Sequence, residues 1–502
     1  IRLSLGFRVD VPYFEQTGYR NTEAESFTFR DETGKDVKYR TDKLPDPNLL
    51  FSPRFGFNWD VMGDRTVQLR GGTGIFTGKP AYVWISNQIG NNGILTGFAQ
   101  LDNTKSRPFN PDPNHYKPTS VSGTPASSYE LALTDKNFKF PQLWRSNIAV
   151  DHQLPYGVVA TAEFLYNKDV NGVYYINANL DAPNANFVGV DSRPRWTTSD
   201  TSKIINKITN AIVMKNQNVG YSWSASFSLE KSFAEGWFAK TAYNYGVSKN
   251  TVDPGSIASG SYYGNQHSGD PNNPGVGYSA NSPGHRFFVT ASYRGEYLDM
   301  GATTVSVFFE GRTIGNGSYV YAGDLNGDLG TANDLIYIPK DASEMNFQQY
   351  TYNNNTPNDA TDDIVFTPEQ QQEAWEAYIK QDEYLNANRG KYAERGAVFM
   401  PMVYRADLSL IQEVFTDLLG KRNSLQIRAD FLNVTNLLNS NWGTGQRFVS
   451  TQPLTSPSAD ANGKVRYRLR NINDKLISKT FEPTAGIDDV FRIQLSVKYT
   501  FN

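Results

Sequence analysis

The 502-residue chain has no cysteine, only four histidines and almost no net charge. Nor does it hold an apolar run of about 18 residues, the length that crosses a bilayer as a helix. Each lack excludes something. Without cysteine there is no disulfide scaffold, thiolate metal site or thiol nucleophile. With 48 basic against 51 acidic residues, a net charge of -3, and no basic stripe, nucleic acid is not an expected partner. His115, His152, His267 and His285 share no ligand spacing, so a zinc site is not expected. No GxSxG elbow is present and no acid/base pair stands out among the scattered carboxylates, so the chain does not read as an enzyme.

The chain is rich in aromatics, with 29 Tyr and 30 Phe, while its mean hydropathy is only -0.52. A membrane β-barrel reconciles the two, because only alternate residues of each strand face lipid and the segment averages out polar. The alternation is there. Ile493, Leu495, Val497, Tyr499 and Phe501 fall on one face, with Arg492, Gln494, Ser496, Lys498 and Thr500 on the other. Leu3, Leu5, Phe7 and Val9 oppose Arg2, Ser4, Gly6 and Arg8, and Tyr221, Trp223, Ala225, Phe227 and Leu229 oppose a polar face of four serines and Glu230.

The same pattern predicts ten further strands near 50–61, 65–76, 143–153, 157–167, 219–231, 236–247, 285–295, 302–312, 400–413 and 423–434, twelve with the two at the ends. About eleven residues at ~3.3 Å each, tilted by ~45°, span the ~25 Å apolar band of such a barrel.

The connections alternate strictly. Short links fall at 62–64, 154–156, 231–236, 295–301 and 416–422, and long ones at 12–49, 77–142, 168–218, 248–284, 313–399 and 435–490. Outer-membrane barrels have short periplasmic turns and long extracellular loops. The first strand is thus expected to run outward and the last to end in the periplasm. The fold class expected is all-β, a transmembrane antiparallel barrel located in the bacterial outer membrane with lipid around it. The opening at Ile1, inside a strand pattern and without a leader, is what a piece of a longer chain would show.

Five stretches carry a resemblance: Phe51 to Trp59 (FSPRFGFNW), Gln68 to Thr77 (QLRGGTGIFT) with Val83 to Asn87 (VWISN), Asp324 to Pro339 (DLNGDLGTANDLIYIP), Tyr384 to Gly396 (YLNANRGKYAERG) and Asp430 to Gly443 (DFLNVTNLLNSNWG). In these the chain resembles the TonB-dependent outer-membrane receptors of the Oar-like branch common in Bacteroidetes. The resemblance implies an N-terminal carboxypeptidase-regulatory-like domain, a plug and a twenty-two-stranded barrel. Residues 1–502 would supply its C-terminal twelve strands, and plug and N-terminal domain would not be in this chain. It also implies a TonB complex as partner through an upstream segment. A surface lipoprotein partner is conceivable, but no feature demands one. One departure is the end: Phe501 is penultimate and Asn502 follows, where such barrels usually finish on an aromatic.

Asp324, Asn326, Asp328 and Asp334 offer the spaced oxygens that Ca²⁺ favours, and are the candidate metal ligands. The helix-loop-helix calcium pattern is broken by Leu329 at the sixth position and Leu335 at the twelfth, and the bland alternative is a run of Asx and glycine turns. No other cofactor is required. Gly71, Gly72 and Gly74 lack phosphate-loop spacing, since Thr73 and Pro80 stand where Gly and Ser/Thr are needed, and read instead as small residues that relieve crowding on a strand.

Trp375, Tyr378, Ile379 and Leu385 fall at helical spacing behind a Thr367-Pro368-Glu369-Gln370 start, which predicts an amphipathic helix inside the longest loop, packing that loop on itself or acting as a lid. Trp59, Tyr166, Trp237 and Tyr499 suit interfacial girdles. The function expected is TonB-dependent active transport of an unidentified substrate, with a passive channel or a surface binding barrel as the alternatives. The polar residues Arg2, Arg8, Arg428, Arg492 and Lys498 would then face plug or solute. Substrate-binding residues are not legible.

Overall fold

A computed structural model describes residues 1–501 except 18, 95–104, 118–124, 126–127, 233–235, 355, 357–358 and 419–420. Twelve strands form one antiparallel path in chain order. They are β1 (Arg2–Asp10), β2 (Leu50–Asp60), β3 (Val67–Thr77), β4 (Gln142–Leu154), β5 (Val158–Asp169), β6 (Tyr221–Ser232), β7 (Trp237–Asn250), β8 (Gly284–Tyr297), β9 (Gly301–Thr313), β10 (Met402–Leu418), β11 (Lys421–Leu432) and β12 (Arg492–Phe501). Every strand pairs with its sequence neighbour, the pattern of an up-and-down barrel wall. Each of the twelve expected strands is present. Most bounds agree within two residues, but β10 runs on to Leu418 and β7 to Asn250. Parts of two expected turns and of the 77–142 loop lie outside the described residues.

Register keeps the faces in phase. Leu425 opposes Tyr499, Ile427 opposes Val497 and Ala429 opposes Leu495, while Gln426 opposes Lys498 and Arg428 opposes Ser496. A slip of one residue would exchange the faces. The apolar face is left uncovered: Leu5 is 84% exposed, Leu495 74% and Val497 70%. So large a continuous apolar surface does not persist in water and is a lipid-facing surface. Trp59, Trp237 and Tyr499 lie exposed on it near strand ends, and Trp237 rests on Tyr293 with ring centroids 4.6 Å apart.

Gly71, Gly72 and Gly74 have a steric reason for being glycine. A Cβ at Gly71 would stand 2.8 Å from the Asn147 carbonyl oxygen, at Gly72 2.9 Å from that of Phe55, and at Gly74 2.9 Å from that of Pro53. They sit on β3 as wall positions, and the phosphate-loop reading has no place there.

The sheet does not close. Among the described residues β1 pairs only with β2, and β12 only with β11, so each end strand has one unpaired edge. An unpaired strand edge in a bilayer leaves backbone N–H and C=O groups unsatisfied at several kcal/mol each, which is why membrane barrels close.

The packed cores lie in the loops. All six long loops gather at one rim of the wall, and the five short turns at the other. One core joins Phe29, Leu131, Ile176, Ile212 and Met214 from the loops before β2, β4 and β6 with Tyr262 from the loop before β8. Its centre is a three-stranded sheet in which Ile208–Gln217 pairs parallel with Tyr129–Thr134 and antiparallel with Gly172–Asn177. At their centres Leu131–Leu133, Tyr174–Ile176 and Ala211–Met214 are buried on both faces, so these short segments carry no one-sided apolar face of the kind the wall strands show.

The second core joins Tyr319, Ile336, Trp375, Tyr378 and Leu385 with Leu454, Tyr467 and Leu469. The expected helix is its spine: Pro368–Gln381 is capped by a Thr367/Gln370 capping box and followed by Glu383–Ala387. Trp375, Tyr378, Ile379 and Leu385 are fully buried, so the helix packs the loop on itself.

Candidate functional site

Two surfaces can meet a solute or a partner: the polar face of the wall and the folded rim of long loops. The polar face is laced with charge pairs, both between strands and along them. Arg70 reaches Asp151 (2.9 Å), Lys240 reaches Glu230 (2.9 Å), Arg286 and Arg312 share Glu310 (2.9 and 3.3 Å), and Arg294 reaches Glu413 (2.9 Å). Such half-exposed pairs contribute at most about 1 kcal/mol each, so their effect is to hold a hydrogen-bonding surface at fixed positions. A depression of about 630 Å³ opens on this face between Glu163, Lys240, Asn244, Arg286 and Arg312. Of the polar residues singled out from sequence, Arg8 is paired with Asp10, Arg428 with Asp430 and Arg492 with Asp488. Arg2 and Lys498 are exposed on the same face.

The loop 324–334 is the joint between the two rim cores. Asp324 takes the amides of Gly327 (2.7 Å) and Leu329 (2.9 Å), Asn326 Oδ1 takes that of Asp328 (3.0 Å), and Asp328 takes that of Gly330 (2.7 Å). Asp334 Oδ2 accepts from the Leu325 amide at 2.8 Å. The structure therefore brings the four candidate metal ligands into one knot, in which Asp328, Asp334 and Asn326 are at most 1% exposed.

The knot is cross-linked from two other loops. His267 Nε2 lies 2.9 Å from Asp328 Oδ2, and Arg193, its side chain 0% exposed, pairs with both Asp334 (3.2 Å) and Asp191 (2.9 Å) and donates to the Leu335 carbonyl (2.6 Å). Sequence reading passed over Arg193, and placed His267 in a loop without a role. The local pair with Asp191 gives no pointer to the knot, and the knot residues they hold, Asp334 and Asp328, lie 141 and 61 residues away in sequence.

Charge in the knot is unevenly balanced. Burial works against the Arg193 guanidinium, but Asp191 and Asp334 more than offset it and leave its pKa raised. Burial likewise opposes ionisation of Asp328, yet the hydrogen bond with His267 holds that carboxyl below the usual carboxylate range. Asp324 has no such partner, and burial together with Asp328 pushes it up to about 7. Leu329 adopts the left-handed backbone (φ 77°) that the calcium pattern assigns to glycine, so the turn is kept although the residue differs. The oxygens themselves point at amides, at His267 and at Arg193, and among the described residues no group of three or more His, Asp or Glu is disposed around a metal position.

Two buried amides tie loops together in the same manner. Gln371 donates to the carbonyls of Gln348 (3.0 Å) and Phe366 (3.1 Å) and accepts from the Leu469 amide (2.9 Å). Gln88 donates to Thr41 (2.9 Å) and Lys43 (2.8 Å) and accepts from Thr134 (2.9 Å). A buried amide with its bonds made is worth keeping, since an unmade one costs about 1–3 kcal/mol.

Comparison with known proteins agrees with the wall. No curated protein matches. Solved structures that are similar include the outer membrane transporter YddB from Escherichia coli, at 11% identity and TM-score 0.40, covering 91% of this chain and 41% of that one. A ferric enterobactin receptor mutant from Pseudomonas aeruginosa matches at 10% identity and TM-score 0.36, covering 90% and 40%, and the copper transporter OprC at 8% and 0.36, covering 100% and 45%. The chain thus spans less than half the length of these proteins. The family model described as "Outer membrane beta barrel domain" matches residues 2–466. With a wall of twelve antiparallel strands, an uncovered apolar face and a match over most of its length, the chain belongs to the outer membrane β-barrel domain family.

Proposed function

We propose that the chain is the C-terminal part of a TonB-dependent transporter of the Oar-like branch, carrying an unidentified substrate across the outer membrane rather than catalysing a reaction on it. The observation that carries this reading is the open sheet. Twelve strands with two unpaired edges are what part of a larger barrel presents, and a wall of about 22 strands encloses a lumen wide enough to hold a plug, where a porin wall of about 16–18 leaves an open channel. Ten preceding strands would complete a barrel of twenty-two, and a plug would fill it. The polar face, with its fixed pairs around Glu310 and Arg294, suits a folded plug that must be held and later moved, since pairs of this kind are weak singly and reversible together. The long-loop rim would then be extracellular and the turns, with the C-terminus, periplasmic. A TonB complex would engage an upstream segment, and a surface lipoprotein could sit on the rim.

Calcium at Asp324, Asn326, Asp328 and Asp334 is a subordinate proposal. Its support is the gathering of the four residues in one knot, where burial, and Asp328 beside it, hold Asp324 up to about 7. Saturable stabilisation by calcium, lost in Asp328→Asn, supports it. No shift in melting temperature with calcium removes it.

The transport reading is tested in the full-length protein in its own outer membrane. A photo-cross-linker placed at Gln494, on the polar face of β12, is expected to capture a segment of the same chain lying before residue 1, and detergent-solubilised receptor is expected to retain TonB. Cross-links to nothing but water, with no TonB retained, would favour a passive channel. Cross-links to the plug with no TonB retained would favour a surface binding barrel.

A further inference from the structure

Arg193 and Arg395 are both buried arginines of the rim, and they differ in what meets them. Arg193 lies between two carboxylates. Arg395, only 7% exposed, has no ion pair among the described residues. Its guanidinium donates to neutral oxygens: Nη1 to Asn265 Oδ1 (2.9 Å), and Nη2 to Asn250 Oδ1 (2.6 Å), to the Asn250 carbonyl and to that of Gly277 (3.3 Å). The neighbouring Glu394 is already taken by Lys249 at 2.5 Å. The other acid that acts on it, Asp253, is bound by Asn250 Nδ2 (2.8 Å), Ser279 Oγ (2.7 Å) and the Ala280 amide (2.8 Å).

A buried cation without a carboxylate is costly, and a guanidinium has five donors in a fork that matches a carboxylate. Burial accordingly pushes the Arg395 pKa down, against the pull of Asp253 and Glu394. The cost falls where there is open space. Two cavities of about 400 and 350 Å³ adjoin here, and Asp253, Gln266, Ala280 and Arg395 line both. The first extends to Ile257 and the second to Gln452, so the cleft runs between the loops before β8, β10 and β12.

We propose that this cleft is a binding site for the carboxylate of a small solute, held by Arg395 at the neck between the two cavities. Asp253 on the same neck fixes the charge class. With one acid beside one guanidinium, a monoanionic carboxylate with a donor group for Asp253 is favoured, and a phosphate dianion is repelled. The two cavities together fit a short peptide or one to two sugar-acid residues. The proposal rests on the reading of the long-loop rim as the face that meets the transported solute, but binding and uptake are measured separately.

The test is calorimetry on the purified full-length protein with four probes: trialanine, trialanine amide, digalacturonate and inorganic phosphate. Binding of trialanine without its amide is expected if the carboxylate is a peptide terminus, and binding of digalacturonate if it belongs to a sugar acid. In either case Arg395→Gln is expected to weaken binding at least tenfold. Because that change also removes loop hydrogen bonds, Ala280→Trp supplies the second variant. Residue 280 is exposed at the neck, and a large ring there fills the cleft while leaving the bonds of Arg395 intact. The proposal is overturned if neither carboxylate probe binds, if phosphate binds more tightly than both, or if Ala280→Trp binds as the wild type does. A protein that binds trialanine but shows no TonB-linked behaviour would sink the transport reading and leave this site standing.

Discussion

Arg193 and Asp334, 141 residues apart in sequence, meet at 3.2 Å with both side chains fully buried. The pair fastens the loop before β6 to the loop before β10, and with His267 on Asp328 it makes the two rim cores one structure. Removing one partner of a buried pair costs about 3–5 kcal/mol when it strands the other, and less here because Arg193 keeps its pair with Asp191. Asp334→Asn is therefore expected to raise hydrogen exchange by about one order of magnitude at residues 187–196 and 324–336, with the wall strands unchanged. Exchange that rises equally in β8 and β9 would mean that rim and wall unfold together.

The helix in the longest loop is held by its buried face. Trp375→Ala is expected to destabilise the rim core by about 3–5 kcal/mol, because the ring is fully buried and stacks on Tyr378 with centroids 5.2 Å apart. Thr367→Ala removes only the cap, at about 1 kcal/mol. Limited proteolysis of 313–399 in the folded protein should rank them in that order, and equal susceptibility would contradict the packing.

The joint is sensitive to pH through Asp324. Its carboxyl, at 3.8 ordinarily, is pushed up to about 7 by burial and by Asp328. Between those values the folded loop holds a proton that the unfolded loop has released. The contribution of Asp324 to the loop's stability is thus full below about pH 4, falls as pH rises toward 7, and is level above. Asp334, also raised by burial, acts in the same direction, and Asp328, lowered beside His267, acts in the opposite sense at more acid pH. Wild type is expected to protect 324–336 better at pH 5 than at pH 8, and Asp324→Asn to reduce that difference. An unchanged difference in the variant would remove Asp324 as its source.

Face assignment in the wall is tested by one residue and its neighbour. Ile427 lies on the apolar face, 51% exposed, and Arg428 on the polar one. Ile427→Arg is expected to cost about 2–4 kcal/mol at mid-membrane and to lower assembled protein in the outer membrane, while Arg428→Gln leaves assembly near wild type. The reverse result would turn the wall inside out.

What could be read from sequence follows from where each signal resides. The wall strands were legible because lipid on one side and polar surroundings on the other force alternation residue by residue, as in Ile493 to Phe501. Their length was less so: β10 extends to Leu418 beyond the alternating segment. The helix at 368–381 was legible because its cap is local, with Thr367 and Gln370 three residues apart.

The rim's own sheets were not legible. Leu131 to Leu133 and Ala211 to Met214 are buried on both faces and carry no period, so they read as apolar loop. The acid loop showed its turns but not its partners, because Arg193 and His267 come from other loops. Arg395 had no signal either, since what sets it apart is the carboxylate it does not meet.

The measurement that tests the central claim most directly is a structure of the full-length protein from outer membranes, read for what lies against the outer edges of β1 and β12. The account predicts a preceding strand hydrogen-bonded to Arg2–Asp10, the first strand of the barrel paired with Arg492–Phe501, and a folded plug against the polar face. A ring in which β1 pairs directly with β12, twelve strands around an empty lumen, would contradict it.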